Sequence, residues 1–577
     1  MRHNNHGSIL SSFRTKTTRT IVLILALSLT ALPITAWQSA LITRTVGPNS
    51  AQEPNQNKGE MQTPAPSPSA SPTPILTRSS ATTRTLAELQ TRIDEVLQQP
   101  ALAPALVAVK VTSLDTGRVL FEENGLKLLR PASNMKLYTV AAALDNLSPN
   151  YRFTTSIYAS SHPDAAGTVK DDLIIYGRGD PSLGARFNNG DYFKAIDDLA
   201  NKIVAAGVKR VEGDLVGDES HFVGPKYGSG WEWEDLTWYY GAEISALTVN
   251  DNALDLFVKP GAIPGAKAII TTGPPDPLLT IINQVTTGEK SSKRALAIHR
   301  ELGKDVITVS GSIAVNDPGY TGAVGISHPA LLFVYLLRSS LAKKGVIVRG
   351  KSRTIGAESQ TLLGAGTTII TSGNGDKLLE TNQVEIARLQ SPPLSLIAAQ
   401  TLKPSQNLYT ELILRTLGKN VPQPQAPFGE PPRTSEEAGL EVIKTFLKKA
   451  GILPESLVLN DGSGLSRDDL VTAEATVQLL TFMNQHPHAE AFRAALPVAG
   501  VDGTLRNRMR GTAAEKNVRA KTGSLSSAAS LAGYVTTAAG ERLAFSIMVN
   551  NYTSEVEPRV ICIDPITVLL ASFAARS

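Results

Sequence analysis

Three short polar motifs, spread widely along the chain, place the strongest constraint on its fold. They are residues 133–136 (SNMK), 405–407 (SQN) and 521–523 (KTG), in that order. The second motif follows the first by 272 positions (405 minus 133), which is far longer than a loop between neighbouring elements. To bring all three together, the chain must fold a large intervening segment and then return to the element where it began.

Each motif is short enough to occur by chance. A second S-x-x-K pattern lies at Ser340 and Lys343, and further S-x-N triplets lie at 148–150 and 372–374, so only KTG is unique. The Ser340–Lys343 pair falls near the end of a predicted helix over 330–344, where a lysine simply complements the helix dipole. The prediction of one site therefore rests on the order of the motifs and on their local structure.

Both ends of the chain carry strand and helix patterns that can complete one sheet. A predicted hairpin precedes a helix that opens at Pro131, where proline suits the first turn, and a last helix follows Pro565. The predicted strands are residues 106–111, 118–121, 518–521, 531–535 and 543–549. We therefore predict an α+β fold in which an antiparallel sheet has a helical cover.

The segment between the first two motifs has a different, β-rich pattern. Residues 211–216 are typical of a strand with a turn in it, and apolar residues alternate over 254–258. We predict that a discontinuous motif-bearing domain carries one or more β-rich inserted domains. The predicted bounds are 85–165 and 380–577 for the motif-bearing domain and 166–379 for the insertion.

The first residues are typical of an export segment. Four basic residues up to Arg19 precede an apolar stretch over 21–34. We expect residues 1–46 to be a signal peptide or an uncleaved N-terminal anchor, and the Pro- and Ser-rich residues 47–84 to be a linker. The folded body would then lie in the periplasm or another extracytoplasmic part of the cell envelope, with membrane contact only through an uncleaved first segment.

Composition excludes several classes of function. The net charge of +4 is small for 577 residues and shows no basic stripe suited to a phosphate backbone, so we expect no nucleic-acid partner. Cys562 is the single cysteine. An intrachain disulfide, a cysteine-tetrad zinc site and an iron–sulfur site are therefore excluded.

The first motif supplies a nucleophile and a base. Ser133 and Lys136 are three positions apart, so on a helix they share one face. A serine hydroxyl attacks only when a base takes its proton, and a lysine amine is such a base only when burial or a nearby cation lowers its pKa. We predict Ser133 as nucleophile, Lys136 as general base and Lys521 as the nearby cation. An ordinary amphipathic helix with exposed Ser and Lys is the alternative for this motif alone.

The second motif opens a helix after Pro404. Ser405 would relay a proton to the leaving amine, and Asn407 would hydrogen-bond Lys136 and the peptide group of the substrate. Helix N-capping is a competing explanation for Ser405. The middle residue, Gln406, occupies a permissive position of the pattern.

The third motif lies on a predicted strand, whose exposed edge can pair with an extended substrate. Lys521 and Thr522 offer a positive charge and a hydroxyl to a free carboxylate. Gly523, lacking a side chain, would let the ligand approach closely. The backbone N–H groups of Ser524 and Ser133 would form an oxyanion hole. A strand with a surface lysine is the alternative for this motif alone.

Taken with these motifs, several longer stretches make the chain resemble a known family. The matching stretches are 177–183 (GRGDPSL), 239–242 (YYGA), 245–252 (SALTVNDN), 391–394 (SPPL), 460–467 (NDGSGLSR) and 496–505 (LPVAGVDGTL). Over roughly residues 85–577 the chain resembles the D-alanyl-D-alanine carboxypeptidase/endopeptidases, which are class C low-molecular-mass penicillin-binding proteins of the penicillin-binding protein 4 type (peptidase family S13). The long insertion after the first motif also resembles this family.

The resemblance implies a penicillin-binding, β-lactamase-like transpeptidase fold and a definite chemistry. Ser133 would attack the D-Ala-D-Ala bond of peptidoglycan stem peptides, and endopeptidase cleavage of cross-links would use the same site. β-Lactams would inhibit the enzyme by acylating Ser133. Neither a metal nor an organic cofactor is implied. An acidic residue of the inserted segment would bind the amine of the stem's diamino acid, and Asp218 is the candidate, with a solvated turn carboxylate as the alternative.

Two other functions remain open from the sequence. One is a non-catalytic protein that binds the cell wall or senses β-lactams, although Ser133 and Lys136 are both present. The other is a serine β-lactamase, which needs fast deacylation, often by a dedicated glutamate. The length of the chain and its long insertion argue against the second.

Overall fold

The computed structural model describes residues 82–356, 369–371, 377–379, 383–422 and 431–577. The predicted export segment and nearly all of the predicted linker lie outside these residues. Within them, none of the helices combines the length and the apolar character needed to span a membrane.

Helices and strands are numbered here in chain order. The helices are α1 (Leu86–Leu97), α2 (Met135–Leu147), α3 (Lys194–Ala205), α4 (Pro329–Lys343), α5 (Leu394–Leu402), α6 (Asn407–Asn420), α7 (Ser435–Lys449), α8 (Ala473–Gln485), α9 (Ala489–Ala495) and α10 (Asp564–Ser572). The strands outside the insertion are β1 (Leu106–Ser113), β2 (Val119–Glu123), β19 (Leu457–Val458), β20 (Leu470–Val471), β21 (Arg519–Leu525), β22 (Ala528–Thr536) and β23 (Arg542–Asn550).

The remaining strands lie between α2 and α5. They are β3 (Thr154–Ala159), β4 (Thr168–Val169), β5 (Leu173–Tyr176), β6 (Arg210–Val211), β7 (Leu215–Asp218), β8 (Ala253–Lys259), β9 (Ile269–Gly273), β10 (Thr280–Gly288), β11 (Ala295–Arg300), β12 (Val306–Ala314), β13 (Tyr320–Gly325), β14 (Ile347–Val348), β15 (Ser352–Ile355), β16 (Ile369–Thr371), β17 (Lys377–Leu379) and β18 (Val384–Gln390).

One five-stranded sheet joins the two ends of the described chain. Its strand order is β2-β1-β23-β22-β21, and every neighbouring pair is antiparallel. Central strand β23 is buried on both faces, since Ala544 and Met548 pack in the core that contains α2, whereas Phe545 and Ile547 pack in the core that contains α1 and α10. The predicted α+β arrangement of an antiparallel sheet with helical cover is confirmed.

The intervening segment builds separate sheets. A mixed sheet has the order β15-β7-β5-β3-β18, and three-stranded sheets have the orders β13-β8-β9, β10-β12-β11 and β14-β6-β4. The predicted strand with a turn at 211–216 is β6 followed by β7, and the predicted alternation at 254–258 is β8, in which Leu254, Leu256 and Val258 are buried.

Two strands fall outside the predicted bounds of the insertion. β3 pairs with β5, and β18 pairs antiparallel with β3 in a register that sets Gln390 opposite Thr154. Both strands therefore belong to the mixed sheet, so the inserted part extends beyond 166–379 at each end. The sequence analysis missed this because hydrogen-bonded pairing between segments more than 200 residues apart leaves no local pattern.

Helices α6 and α7 approach each other closely, and this contact supports the second motif at the start of α6. A Cβ atom added to Gly439 on α7 would lie 2.1 Å from the carbonyl oxygen of Leu414 on α6. A Cβ added to Gly418 on α6 would lie 2.3 Å from the carbonyl oxygen of Ser435. The two glycines thus let the helix backbones pack without intervening side chains.

Replacing Gly439 with alanine is therefore expected to destabilise the protein by about 1–3 kcal/mol through overpacking. Intrinsic helix propensity alone favours alanine here by about 1 kcal/mol, so the two effects have opposite signs. Thr445→Ala, at an exposed position of the same helix, is the matched control and should leave stability equal or slightly raised. Urea unfolding followed by circular dichroism measures both, and a stabilised Gly439→Ala variant would contradict the close contact.

Candidate active site

The three motifs meet around two buried lysines. Lys136 Nζ donates hydrogen bonds to Ser133 Oγ at 2.8 Å, to Asn407 Oδ1 at 2.6 Å and to the Ser463 carbonyl at 2.7 Å. Lys521 Nζ donates to Ser405 Oγ at 2.8 Å and to the Thr522 carbonyl at 2.7 Å. Ser133, Lys136, Ser405, Asn407 and Lys521 thus lie in one site, although 388 positions (521 minus 133) separate its ends.

Burial makes Lys136 a suitable base. Its side chain is fully buried, and desolvation lowers its pKa to about 7 against the opposing attraction of Asp461, Glu411 and Asp469. Burial, which the sequence analysis named beside a nearby cation, is the largest cause, and the charge of Lys521 is not among the causes. Burial and the charge of Lys136 instead hold the pKa of Lys521 well below its usual range.

A strained turn presents Ser133. The residue lies in a 3-10 turn, Ala132–Asn134, that leads into α2. Ala132 has φ 48°, and a non-glycine residue in this left-handed region costs about 1–3 kcal/mol. Helix α2 is buried from Met135 to Leu144, so the surrounding core holds the turn in place.

Ser405 does not cap its helix. The N-cap of α6 is Gln406, whose side chain accepts a hydrogen bond from the Leu408 N–H, while Ser405 has the left-handed φ of 65°. N-capping therefore fails as an explanation for Ser405. Strain at this residue is of the kind that functional sites retain.

The inserted segment holds the second motif. Gln406 Nε2 donates to Asp251 Oδ2 at 3.1 Å, and the Tyr409 hydroxyl donates to the other carboxylate oxygen of Asp251. Asn407 Nδ2 donates to the Tyr240 carbonyl at 2.9 Å. Gln406 is therefore not at a permissive position in this protein, since it is buried and links α6 to the insertion.

The third motif lies on edge strand β21, whose one side pairs with β22. Thr522 donates its hydroxyl hydrogen to Thr504 Oγ1 at 2.8 Å. A Cβ added to Gly523 would lie 2.5 Å from the Pro131 carbonyl oxygen and 2.1 Å from Ser530 Oγ. The missing side chain at Gly523 therefore makes room for the protein's own turn before Ser133, and the close approach of a ligand at this glycine stays a prediction. Ser524 is exposed on the same strand.

Two backbone carbonyls in the site were missed by sequence reasoning. Ser463 and Tyr240 accept hydrogen bonds from Lys136 and Asn407, respectively. Both lie in stretches quoted for the family resemblance, 460–467 and 239–242. A backbone oxygen is present in every residue, so residue types cannot reveal its role. Only the recurrence of these stretches in a family could have indicated that the two carbonyls matter.

Asp218 lies outside this hydrogen-bonded group. It ends β7, is buried, and accepts a hydrogen bond from the Ser220 N–H at 2.9 Å. Burial raises its pKa, and the nearby charge of Arg178 opposes that rise. None of the hydrogen bonds found in the described residues joins Asp218 to the two lysines. The described residues also contain no group of three His, Cys, Asp or Glu placed to hold a metal ion.

Comparison with known proteins places the chain in a family. A sequence model of the D-Ala-D-Ala carboxypeptidase 3 (S13) family matches residues 89–572. The D-alanyl-D-alanine carboxypeptidase of Actinomadura sp. (strain R39) is 36% identical over 502 residues, which cover 85% of this chain and 86% of that protein. D-alanyl-D-alanine carboxypeptidase DacB of Haemophilus influenzae is 26% identical, with 77% of this chain and 85% of that protein covered.

A solved structure shows the same fold. The crystal structure of penicillin binding protein 4 from Haemophilus influenzae superposes with a TM-score of 0.68 at 23% identity, covering 82% of this chain and 97% of that one. Because the family model spans most of the chain and the Actinomadura relative exceeds 30% identity, the chain belongs to the D-Ala-D-Ala carboxypeptidase 3 (S13) family.

Proposed function

We propose that this chain is a serine D-Ala-D-Ala carboxypeptidase that cleaves peptidoglycan stem peptides through an acyl-enzyme on Ser133. The hydrogen bond of 2.8 Å between Lys136 Nζ and Ser133 Oγ carries the proposal, because it joins a nucleophile directly to a buried base. Family membership and carboxypeptidase relatives support the reaction type.

Acylation begins with a proton transfer within the first motif. Neutral Lys136 takes the proton of the Ser133 hydroxyl, and Oγ forms a bond to the carbonyl carbon of the penultimate D-Ala. The N–H groups of Ser133 and Ser524 would stabilise the oxyanion that develops. The hydrogen bonds from Lys136 to Asn407 and Ser463 fix the direction of its amine during this step.

The second motif serves the leaving group. As the peptide C–N bond breaks, Ser405 would donate a proton to the departing amine of the terminal D-Ala and take up the proton that Lys136 received from Ser133, while Lys521 is hydrogen-bonded to Ser405. Lys136 is then neutral again. Water attacks the ester carbonyl and gives a proton to Lys136, which passes it to Ser133 Oγ as the ester bond breaks and the shortened peptide leaves.

The third motif would orient the substrate. Edge strand β21 offers backbone groups to an extended peptide, and Lys521 and Thr522 would bind the terminal carboxylate. A cross-linked D-Ala-to-diamino-acid bond fits the same chemistry, so we infer DD-endopeptidase activity as well. Asp218 is retained as the proposed partner of the stem amine.

β-Lactams are the expected covalent inhibitors, since their strained amide would acylate Ser133. Penicillin binding protein 4 of Haemophilus influenzae, 21% identical to this chain, was solved in complex with a β-lactam. For the location of the protein, the charged and then apolar residues 1–34 support export to the periplasm or another extracytoplasmic compartment.

A fluorescent penicillin is expected to label the purified 82–577 fragment covalently, and Ser133→Ala should abolish the label. Ser340→Ala is the matched control, because it removes the serine of the other S-x-x-K pattern, whose hydroxyl contacts Asp197 on α3. Intact mass spectrometry would confirm one adduct per chain. Absence of label in the folded wild-type fragment would favour a non-catalytic wall-binding protein, and rapid loss of label with penicillin hydrolysis would favour a β-lactamase.

The rate of acylation should fall as pH decreases below about 7. The pKa of Lys136 is lowered to about 7, so the amine is neutral and able to accept the Ser133 proton above that pH and is protonated below it. The second-order rate constant for acylation, measured from pH 5 to 9, should therefore show an acid limb with a midpoint near 7. A rate independent of pH across this range would contradict Lys136 as the base.

Residues 1–84, fused to a phosphatase that is active only outside the cytoplasm, should confer activity on intact bacterial cells. Replacing Leu25 and Leu27 with charged residues would break the apolar stretch and should abolish that activity while the fusion is still made. An active phosphatase after this double substitution would contradict export by this segment.

A further inference from the structure

A buried carboxylate behind Lys136 accepts six hydrogen bonds. Asp461 is fully buried in the loop between β19 and β20. The N–H groups of Ser463, Gly464, Leu465 and Ser466 donate to it at 3.0, 2.6, 3.1 and 3.1 Å. The Ser463 hydroxyl and the Trp231 indole N–H each donate at 2.8 Å.

Every one of these bonds is donated to Asp461, which is the pattern of a carboxylate and not of a carboxylic acid. The loop of residues 461–466, which surrounds this carboxylate, places the Ser463 carbonyl where it accepts a hydrogen bond from Lys136 Nζ. Asp461 is therefore connected to the base through one residue, because Ser463 donates to Asp461 and accepts a hydrogen bond from Lys136. It is also first among the negative charges that attract the lysine and raise its pKa.

The other acids nearby differ from Asp461. Burial and the Asp461 charge raise the pKa values of Glu411 on α6 and Asp469 well above their usual range. Each has one buried carboxyl oxygen with no hydrogen-bond partner in the described part of the chain, Glu411 Oε2 and Asp469 Oδ2. Burial also raises the pKa of Glu436 on α7, and Arg415 faces both glutamates.

We propose that Asp461 is a positioning residue for the Ser133–Lys136 pair. Its carboxylate fixes the loop whose Ser463 carbonyl orients the lysine amine. The other titratable groups around this amine are Glu411 on α6, Asp469 and Lys521 on β21. The inference rests on the proposed acylation of Ser133. It assigns to the 460–467 loop a role in the reaction that does not require contact with the substrate.

The test compares Asp461→Asn with Asp469→Asn in the 82–577 fragment and measures how the rate of acylation by fluorescent penicillin depends on pH. Asp461→Asn removes the charge, so the acid limb should move to lower pH by about one unit or more. The plateau rate should fall roughly tenfold to a hundredfold because the Ser463 carbonyl loses its anchor.

Asp469→Asn is the matched control. Its amide oxygen can accept the N–H bonds of Asn460 and Asp461 that the carboxyl accepts now. Asp469 comes last among the three acids that attract Lys136, so the acid limb should move less than in Asp461→Asn. An unmoved limb in Asp461→Asn, or an equal shift in both variants, would overturn the proposal.

Asp461→Asn leaves several donors without an acceptor and is expected to be less stable. If it does not fold, Trp231→Phe and Ser463→Ala each remove one donor and leave the charge in place. The carboxylate is then less compensated and attracts the lysine more strongly, so the acid limb should move to higher pH. Unchanged profiles in both would overturn the proposal. Failure of the wild-type fragment to be labelled at all would instead contradict the proposed function.

Discussion

The structure depends on keeping an amine inside the protein with three hydrogen-bond acceptors around it. Lys136 is fully buried, and its partners come from the turn before α2, the start of α6 and the loop between β19 and β20. Burying a polar group without such partners is costly, so each of these segments must be in place before the site is favourable. The same burial lowers the pKa of the amine from 10.5 to about 7, so that its neutral form is available as a base near neutral pH.

The insertion takes part in this arrangement. Asp251 and the Tyr240 carbonyl bind Gln406 and Asn407, and Trp231 donates to the carboxylate of Asp461. Asn250, Asp251 and Asn252 all have left-handed φ angles, of 47°, 59° and 49°. Three successive strained residues persist only where surrounding contacts determine them, and here those contacts lead to the second motif.

The sequence predicted what residue type and period can reveal. The order of the three motifs and the strand patterns at both ends predicted the antiparallel sheet and the five motif residues that meet around the two lysines, because side-chain chemistry and alternation are local signals. The backbone geometry of the site could not be predicted from the sequence. The carbonyl of Ser463, the left-handed Ser405, the cap at Gln406 and the contact of Gly523 with Pro131 depend on the tertiary fold, and so do the pairings of β3 and β18.

The central sheet also sets an order of events during synthesis. Strand β1 pairs with β23, so Lys110 lies opposite Ser546, 436 positions later (546 minus 110). Until β23 has left the ribosome, the hairpin of β1 and β2 has an open edge. A chain arrested between the second and third motifs contains Ser133, Lys136, Ser405 and Asn407 but not Lys521, so its catalytic centre is incomplete. Pairing at such long range is also slow, so activity should appear only after the whole chain has folded.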